Sequence, residues 1–275
     1  MDCDLTKLVK QMGHIKESRM SKVKTRLLTF GMIMIAATMA IKPIIAEEKD
    51  VFGALPGTFS ADVAITNDYV YRGTSQADEH PALQGGIYWA NGFKAGNQDI
   101  ALNLGVWGSN VDFNDGDRAS VEIDYTIGLS TEISGVGISA GYIFYSYPGT
   151  GSALNYNFQE FNVGISKDFE VASASASFNY SDDFFGGVGE AFYLDFGLDI
   201  PLSHKFTIAT HIGLQDFDDP TQDDYVDWLV GVSRPIKGID VSLTYYDTDI
   251  EAGGFCGAST ENCSDRFVVA ISKAI

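Results

Sequence analysis

The chain has 275 residues and carries 18 Lys and Arg against 37 Asp and Glu, a formal net charge of −19. Beyond residue 46 the sequence contains no basic cluster. An acidic surface of this kind repels nucleic acid and anionic lipid, which argues against a nucleic-acid-binding protein.

The first 46 residues have the order of an export signal. From Met20, basic residues at positions 22, 24 and 26 precede an apolar stretch at 27–41, and Ala46 stands just before two glutamates. The apolar stretch has the length of a signal-peptide core and is short for a membrane span. We expect a start at Met20 and cleavage after Ala46, with Ala40 as the second choice. A single N-terminal membrane anchor is the alternative.

Removal of this segment makes the mature chain more acidic. Residues 1–46 hold eight of the 18 basic and three of the 37 acidic residues, which leaves 10 basic and 34 acidic residues, a net charge of −24. We divide the chain into an N-terminal extension and signal peptide at 1–46, a short segment at 47–58 and a β-barrel at 59–275.

From residue 59 onward, apolar and polar residues alternate with period two, and no helical periodicity persists beyond a turn. The pattern predicts twelve strands. They lie near 59–72, 81–90, 99–113, 118–132, 136–147, 158–169, 171–181, 190–200, 205–215, 224–234, 238–248 and 265–274.

The two faces of these strands differ in a consistent way. In the stretch "SADVAITNDYVYRGTSQ", one face is apolar and ends in tyrosines, and the other carries acids and Arg72; Asn67 interrupts the apolar face. Burying such acids in a dry core would cost several kcal/mol each. We therefore expect an all-β, up-and-down transmembrane barrel with about 12 antiparallel strands, lipid outside and water inside. A soluble exported β-sandwich would explain only the alternation.

The connections support the barrel. After the second predicted strand, short turns alternate with long loops rich in Asp, Gly and Asn, as in outer-membrane barrels. Aromatic residues cluster near both sets of connections and predict two girdles at the lipid interface. The short-turn set is Trp89, Phe93, Phe169 and Phe206, and the long-loop set is Tyr69, Tyr71, Phe113, Tyr147, Phe217 and, on the lumen side by its phase, Tyr246.

Three further features carry chemistry. Cys256 and Cys263 lie in a Gly-rich loop of an exported chain, and this setting predicts a disulfide. The sequence "GISAG" around Ser139 matches a nucleophile-elbow pattern, but it lies in an alternating strand, and His211 points inward by its phase. Loop acids such as those of "QDFDDPTQDD" lack the spacing of a known Ca²⁺ loop, so a solvated acidic mouth is the simpler interpretation. We predict no enzyme activity, no cofactor and no metal site.

An ordered set of motifs resembles one family. The segments "DYVYRGTSQ", "PALQGGIYW", "GVWGSNVDF", "EIDYTIG", "YIFYSYPG", "YSDDFFG" and "RFVVAISKAI" are similar to those of the TorF-type porins, also called the Gcw_chp family. The resemblance runs from about Phe59 to the C-terminus. It implies a bacterial outer-membrane barrel, a presumed channel, and outer-membrane lipid and the barrel-assembly machinery as partners. Outer-membrane barrels usually end in an aromatic residue that aids assembly, but this chain ends in Ile275.

We expect a passive channel for small hydrophilic solutes that prefers cations. Charged side chains on the polar face are the predicted pore lining: Asp62, Asp68, Arg72, Arg118, Glu122, Asp124, Glu160, Asp195, His211 and Arg266. Arginines and acids together would set ion preference in a narrow mouth, and the acids outnumber the arginines. The alternative is a closed structural or adhesion barrel with acidic surface loops, whose lumen charges pair and seal it. The sequence predicts neither the solute nor the oligomeric state.

Overall fold

A computed structural model describes residues 56–251, 256 and 261–275, so the predicted signal peptide and most of the segment at 47–58 lie outside the described residues. Fourteen strands are present: β1 Thr58–Thr66, β2 Val70–Tyr71, β3 Thr74–Ser75, β4 Ala82–Ala95, β5 Gln98–Asn110, β6 Val121–Ile133, β7 Val136–Ser146, β8 Phe158–Asp168, β9 Ser173–Ser181, β10 Ala191–Pro201, β11 Thr207–Phe217, β12 Tyr225–Ile236, β13 Ile239–Thr248 and β14 Arg266–Ala274. Two single 3-10 turns, Ser203–Lys205 and Glu261–Cys263, complete the elements.

Twelve of these strands form one closed antiparallel barrel, in the order β1-β14-β13-β12-β11-β10-β9-β8-β7-β6-β5-β4. Strand β1 closes the barrel by pairing with β4 on one side and with β14 on the other. Asp62 of β1 lies opposite Gly86 of β4 and opposite Ala274 of β14. Every other strand pairs with its neighbours in sequence, as in an up-and-down barrel. The predicted fold class and strand number are confirmed.

The outer surface of the barrel is apolar. Ile65, Ile87 and Phe267 are 61%, 65% and 63% exposed, and similar residues alternate with inward-facing ones along all the strands. An exposed apolar band around a closed barrel, which leaves no free strand edge, meets the conditions for crossing a membrane. The barrel is therefore a transmembrane one. Within the described part of the chain, no helix is long and apolar enough to cross a membrane.

Short and long connections alternate around the barrel, as predicted. Five connections have two to five residues, and the other six have seven to seventeen. The short-turn aromatics Phe93, Phe169 and Phe206 are exposed on the outside, where a girdle requires them.

The long-loop girdle was predicted wrongly. Tyr69, Tyr147 and Phe217 are buried, and the half-buried Tyr71 and Phe113 pack against the same interior aromatic cluster. Tyr246 is buried inside, as its phase predicted, in a separate small cluster. These rings fill the inside of the barrel at its long-loop end, because Phe217 and Tyr246 lie on the inner faces of β11 and β13 and the segments that carry the other rings fold inward. Hydrophobic alternation alone cannot distinguish a ring that faces lipid from one that faces other rings.

The first barrel strand ends at Thr66, six residues before its predicted end at 72. At that point β1 leaves the barrel wall, and Asn67 completes the sheet with its side chain. Its Nδ2 donates to the carbonyl oxygen of Phe267 at 3.2 Å, and its Oδ1 accepts from the amide of Val269 at 2.6 Å. The amide group thus pairs with the edge of β14, which explains why a polar residue interrupts the apolar face here.

Candidate functional site

Residues 67–81, which connect β1 to β4, fold into the lumen and are called the plug hairpin here. Strands β2 and β3 pair through Val70 with Ser75 and Tyr71 with Thr74. Arg72 and Gly73 form the two-residue turn with φ angles of 45° and 79°. Positive φ at both turn positions is the geometry of a type I′ hairpin, which matches the twist of the paired strands. The period-two pattern of "DYVYRGTSQ" thus belongs to a second, separate pair of strands.

The plug hairpin also pairs with the next long loop. The amide of Asp112 donates to the carbonyl of Gln76 at 2.8 Å, and the amide of Gln76 donates to the carbonyl of Tyr69 at 2.7 Å. Ala77 forms an isolated parallel bridge with Asp112 and is fully buried. The hairpin is therefore attached at its start to β1 and at residues 76 and 77 to the loop that follows β5.

Arg72 carries the hairpin across the lumen. Its Nη2 donates to both carboxylate oxygens of Glu160 at 2.8 Å, and its Nη1 donates to Oε1 of Gln215 at 3.0 Å. Glu160 lies on β8, nearly opposite β1 in the closed strand order, and Gln215 lies on β11. The guanidinium carbon also lies 4.0 Å from the ring centre of Tyr193 on β10. A single side chain therefore joins the plug hairpin to three strands of the far wall.

A second ion pair anchors the base of the hairpin. Nη1 of Arg266, at the start of β14, lies 2.7 Å from Oδ2 of Asp68, and Ser75 Oγ donates to the other carboxylate oxygen at 2.7 Å. Arg266 also donates to the carbonyl oxygens of Ser264 and Glu261. Both arginines of the described lumen are thus saturated by partners.

Gly73 is required where the tip of the hairpin meets the wall. A Cβ atom on this residue would clash with Cγ2 of Thr248 and lie 2.8 Å from Cβ of Asp227. The backbone therefore approaches β12 and β13 more closely than any side chain would allow, and its φ of 79° independently favours glycine.

Two acids of the described lumen, Glu122 and Asp124, lack a Lys or Arg partner. Glu122 and Asp124 on β6 are each only 1% exposed, and no Lys or Arg of the described residues pairs with either. Tyr69 Oη of the plug hairpin donates to Oε1 of Glu122 at 3.2 Å. Two adjacent carboxylates in a dehydrated setting attract a proton or a cation, because neither charge is otherwise balanced.

His211 lies lower on the wall, between two carboxylates. Its Nδ1 is 3.1 Å from Oδ2 of Asp195 and its Nε2 is 2.9 Å from Oδ1 of Asp227, and Tyr193 Oη donates to the other oxygen of Asp227 at 2.9 Å. Ser139 lies in the middle of β7, not in a strand–turn–helix element. Among the described residues, neither Ser139 nor His211 has the setting of a nucleophile elbow.

On β9 and β10, the inward-facing residues become more accessible towards the short turns. On β10, Tyr193 is buried, but Asp195, Gly197 and Asp199 below it are half-buried. On β9 the inward residues change in the same way, from a fully buried Ser181 to half-buried small polar residues. The plug hairpin therefore occupies the upper lumen, and on β9 and β10 the wall below it is polar and half-buried.

Nine of the ten predicted pore residues have side chains in the interior, on the barrel wall or on the plug hairpin: Asp62, Asp68, Arg72, Glu122, Asp124, Glu160, Asp195, His211 and Arg266. Arg118 does not: it precedes β6 in the loop at 111–120 and is exposed. Arg72 lies within a turn, not at a strand end. Sequence reasoning missed Gly73, Gln215 and Asp227, although a glycine inside an alternating run is a turn signal.

The long loops form an acidic rim. The amide and hydroxyl of Thr221 both donate to Asp219 and lower the pKa of that carboxyl, which keeps it ionised. The described residues contain no group of three or more His, Cys, Asp or Glu side chains arranged to hold a metal ion. A disulfide joins Cys256 to Cys263, with their Cα atoms 6.3 Å apart.

Fold and site together define a transmembrane β-barrel whose own first long connection crosses its lumen. The chain belongs to the Gcw_chp family, described as "Bacterial protein of unknown function (Gcw_chp)", which matches residues 51–275. That description carries no TorF name, so this part of the resemblance remains a prediction. A comparison with curated proteins finds no match.

Several solved barrels are similar in outline. The COG4313 outer membrane channel from Pseudomonas putida F1 is 10% identical with a TM-score of 0.49, covering 83% of this chain and 99% of the other. The KdgM porin is 12% identical with a TM-score of 0.45, covering 78% and 98%. Outer membrane phospholipase A from Escherichia coli is 11% identical with a TM-score of 0.47, covering 83% and 93%. At these values the likeness transfers no function to this chain.

Proposed function

We propose that this protein is a channel of the bacterial outer membrane for passive diffusion of small hydrophilic solutes, and that the plug hairpin is its constriction. The arm that Arg72 extends to Glu160 and Gln215 is the observation that carries the proposal. A fixed arm across a water-filled barrel admits only solutes small enough to pass beside it. The wall below it, lined with small polar residues, suits such solutes.

We infer a preference for cations from the charges that face the lumen. Strand residues on the inner face include eight acids, namely Asp62, Glu122, Asp124, Glu160, Asp195, Asp199, Asp227 and Asp240. Fewer basic side chains have the inward phase: Arg72, Arg266, His211 when protonated, and Lys94 at the short-turn end, which pairs with Asp99. Both arginines are neutralised by acids, so the residual field is negative and concentrates cations.

A closed barrel with a structural or adhesive role is the second candidate. The ion pairs of Arg72 with Glu160 and of Arg266 with Asp68 support it, because paired buried charges hold the hairpin in place. In this case the acidic loops, and not the lumen, would be the functional surface.

Conductance of the purified mature protein in a planar bilayer separates the two candidates. A channel gives discrete current steps, and in a KCl gradient its reversal potential moves towards the K⁺ equilibrium value. The same preparation, heat-denatured before addition, is the control for contaminating porins. Absence of steps from correctly folded protein would establish the closed barrel, and a reversal potential on the chloride side would refute the cation preference. Cell fractionation tests the outer-membrane location separately.

A further inference from the structure

A cavity of about 410 Å³, called the vestibule here, lies over the plug hairpin at the long-loop mouth. Tyr71, Thr74 and Ser75 of the hairpin form its floor. Its walls are mainly aromatic: Phe113, Tyr147, Phe158, Phe184, Phe185 and Tyr225. The other described lining residues are Cys256 and the polar residues Gln76, Asp78, Asn114 and Asn262. The volume lies in the range of small-molecule sites, which combine aromatic walls with placed polar groups.

The aromatic walls are fixed by mutual packing. Phe185 stacks on Tyr156 with ring centres 4.4 Å apart and meets Phe113 edge-on at 5.1 Å. Phe184 meets Phe158 edge-on at 4.8 Å. Because each ring is held by another from a different loop, the vestibule exists before any ligand arrives, which lowers the entropic cost of binding.

The net charge around the vestibule is negative, although Arg118 lies in the neighbouring loop at 111–120. Asp78 is the charged side chain among the described lining residues, and no Lys or Arg belongs to the lining. Arg72 lies beneath the floor and is already paired with Glu160. The neighbouring loop adds Asp112, Asp115 and Asp117. The field therefore favours cations and disfavours phosphate or carboxylate ligands.

We infer that the vestibule binds an organic cation with an apolar shell, such as a quaternary ammonium group. Aromatic faces attract such a cation through their π electrons, and they do not require it to keep a hydration shell, as an inorganic ion would. Asp78 adds a carboxylate at the wall. The vestibule lies above the proposed constriction, and binding to it does not depend on whether the lumen conducts.

The test compares choline with dimethylbutanol, its neutral isostere in which carbon replaces nitrogen. Both are titrated by calorimetry into the folded mature protein in detergent. Choline is expected to bind saturably and dimethylbutanol is not. Equal affinity for both compounds, or no saturable heat from choline, would overturn the inference.

Substitutions in the vestibule, compared with similar substitutions at the short-turn rim, test whether choline binds in the vestibule. Phe185→Ala is expected to weaken choline binding about five-fold, the size of one cation–π contact, and Asp78→Asn should weaken it in the same direction. Phe169→Ala and Glu170→Gln remove the same groups at the short-turn rim, at positions that are exposed, and should leave choline affinity unchanged. If Phe185→Ala does not fold, Phe185→Leu keeps the bulk and removes the π face. Equal losses in the rim controls, or none in the vestibule variants, would refute the assignment.

Discussion

One nitrogen of Arg72 donates to both carboxylate oxygens of Glu160 at 2.8 Å, although the two residues lie 88 positions apart and on nearly opposite sides of the barrel. Both side chains are buried, with 7% and 2% of their surface exposed. Removing one partner of such a pair leaves the other as an uncompensated buried charge, which is typically costly by about 3–5 kcal/mol.

The first prediction follows from this pair. Arg72→Ala should release the tip of the plug hairpin from the far wall, lower the temperature of barrel unfolding and raise single-channel conductance. Bilayer recordings and heat-modifiable gel mobility measure the two effects. Arg118→Ala is the matched control, because it removes the same side chain from an exposed loop at the same rim. Conductance unchanged in Arg72→Ala would show that the hairpin does not limit the current.

Alanine substitutions at Gly73 and Gly116 separate the effect of backbone strain from that of steric crowding. Gly73→Ala should displace the hairpin, because its new Cβ would lie 2.8 Å from Cβ of Asp227. Gly116→Ala has a similar positive φ of 84° but meets nothing within 4 Å. Both substitutions carry a backbone cost of about 1 kcal/mol. Only Gly73→Ala is expected to change conductance as well, and equal behaviour of the two variants would contradict the close approach.

The same substitution at two lumen acids should act in opposite directions on stability. Glu122→Gln removes a buried charge that has no basic partner and keeps an acceptor for Tyr69, so we expect the free energy of unfolding to rise by about 1 kcal/mol. Glu160→Gln breaks the pair with Arg72 and should destabilise the barrel. Urea unfolding in detergent compares them. A loss of stability in Glu122→Gln would show that its carboxylate is balanced by a cation.

Measurements of ion selectivity test separately whether acids on the inner barrel wall attract cations. Neutralising Asp195 with Asn, below the constriction, should shift the reversal potential in a KCl gradient towards zero. Asp219 lies on a long loop outside the lumen, and Asp219→Asn should shift the reversal potential less. Equal shifts would place the selectivity in the surface loops.

The disulfide should be local in its effect. It closes a loop with a sequence separation of seven, for which loop entropy gives roughly 2–3 kcal/mol. Native protein should bind no thiol reagent, and the mature chain should gain two labels after reduction, measured by intact mass. The same spectra report the N-terminus, predicted at Glu47. Two labels without reductant would exclude the pairing, and retention of Met20 would exclude the predicted cleavage.

The sequence determined the barrel well because lipid and water act on every strand alike. The alternating apolar residues Val121, Ile123 and Tyr125 identified β6. The long connections rich in Asp, Gly and Asn identified the long-loop rim of the barrel. The prediction failed at Tyr71 and Arg72, where the alternation continues into a strand pair that faces other protein groups. The partner of Arg72 is set by barrel closure, and nothing local to residue 72 encodes the distance to Glu160 or Gln215.

The position of the plug hairpin in the chain constrains how the barrel is made. The hairpin follows β1, and the free edge of β1 is sealed by β14, the final strand of the chain. Arg266, which holds Asp68, stands at the beginning of that same final strand. The ion pair that holds the base of the hairpin therefore forms only once β14 is in place. Strand β14 therefore both closes the barrel wall and, through Arg266, holds the plug hairpin in place.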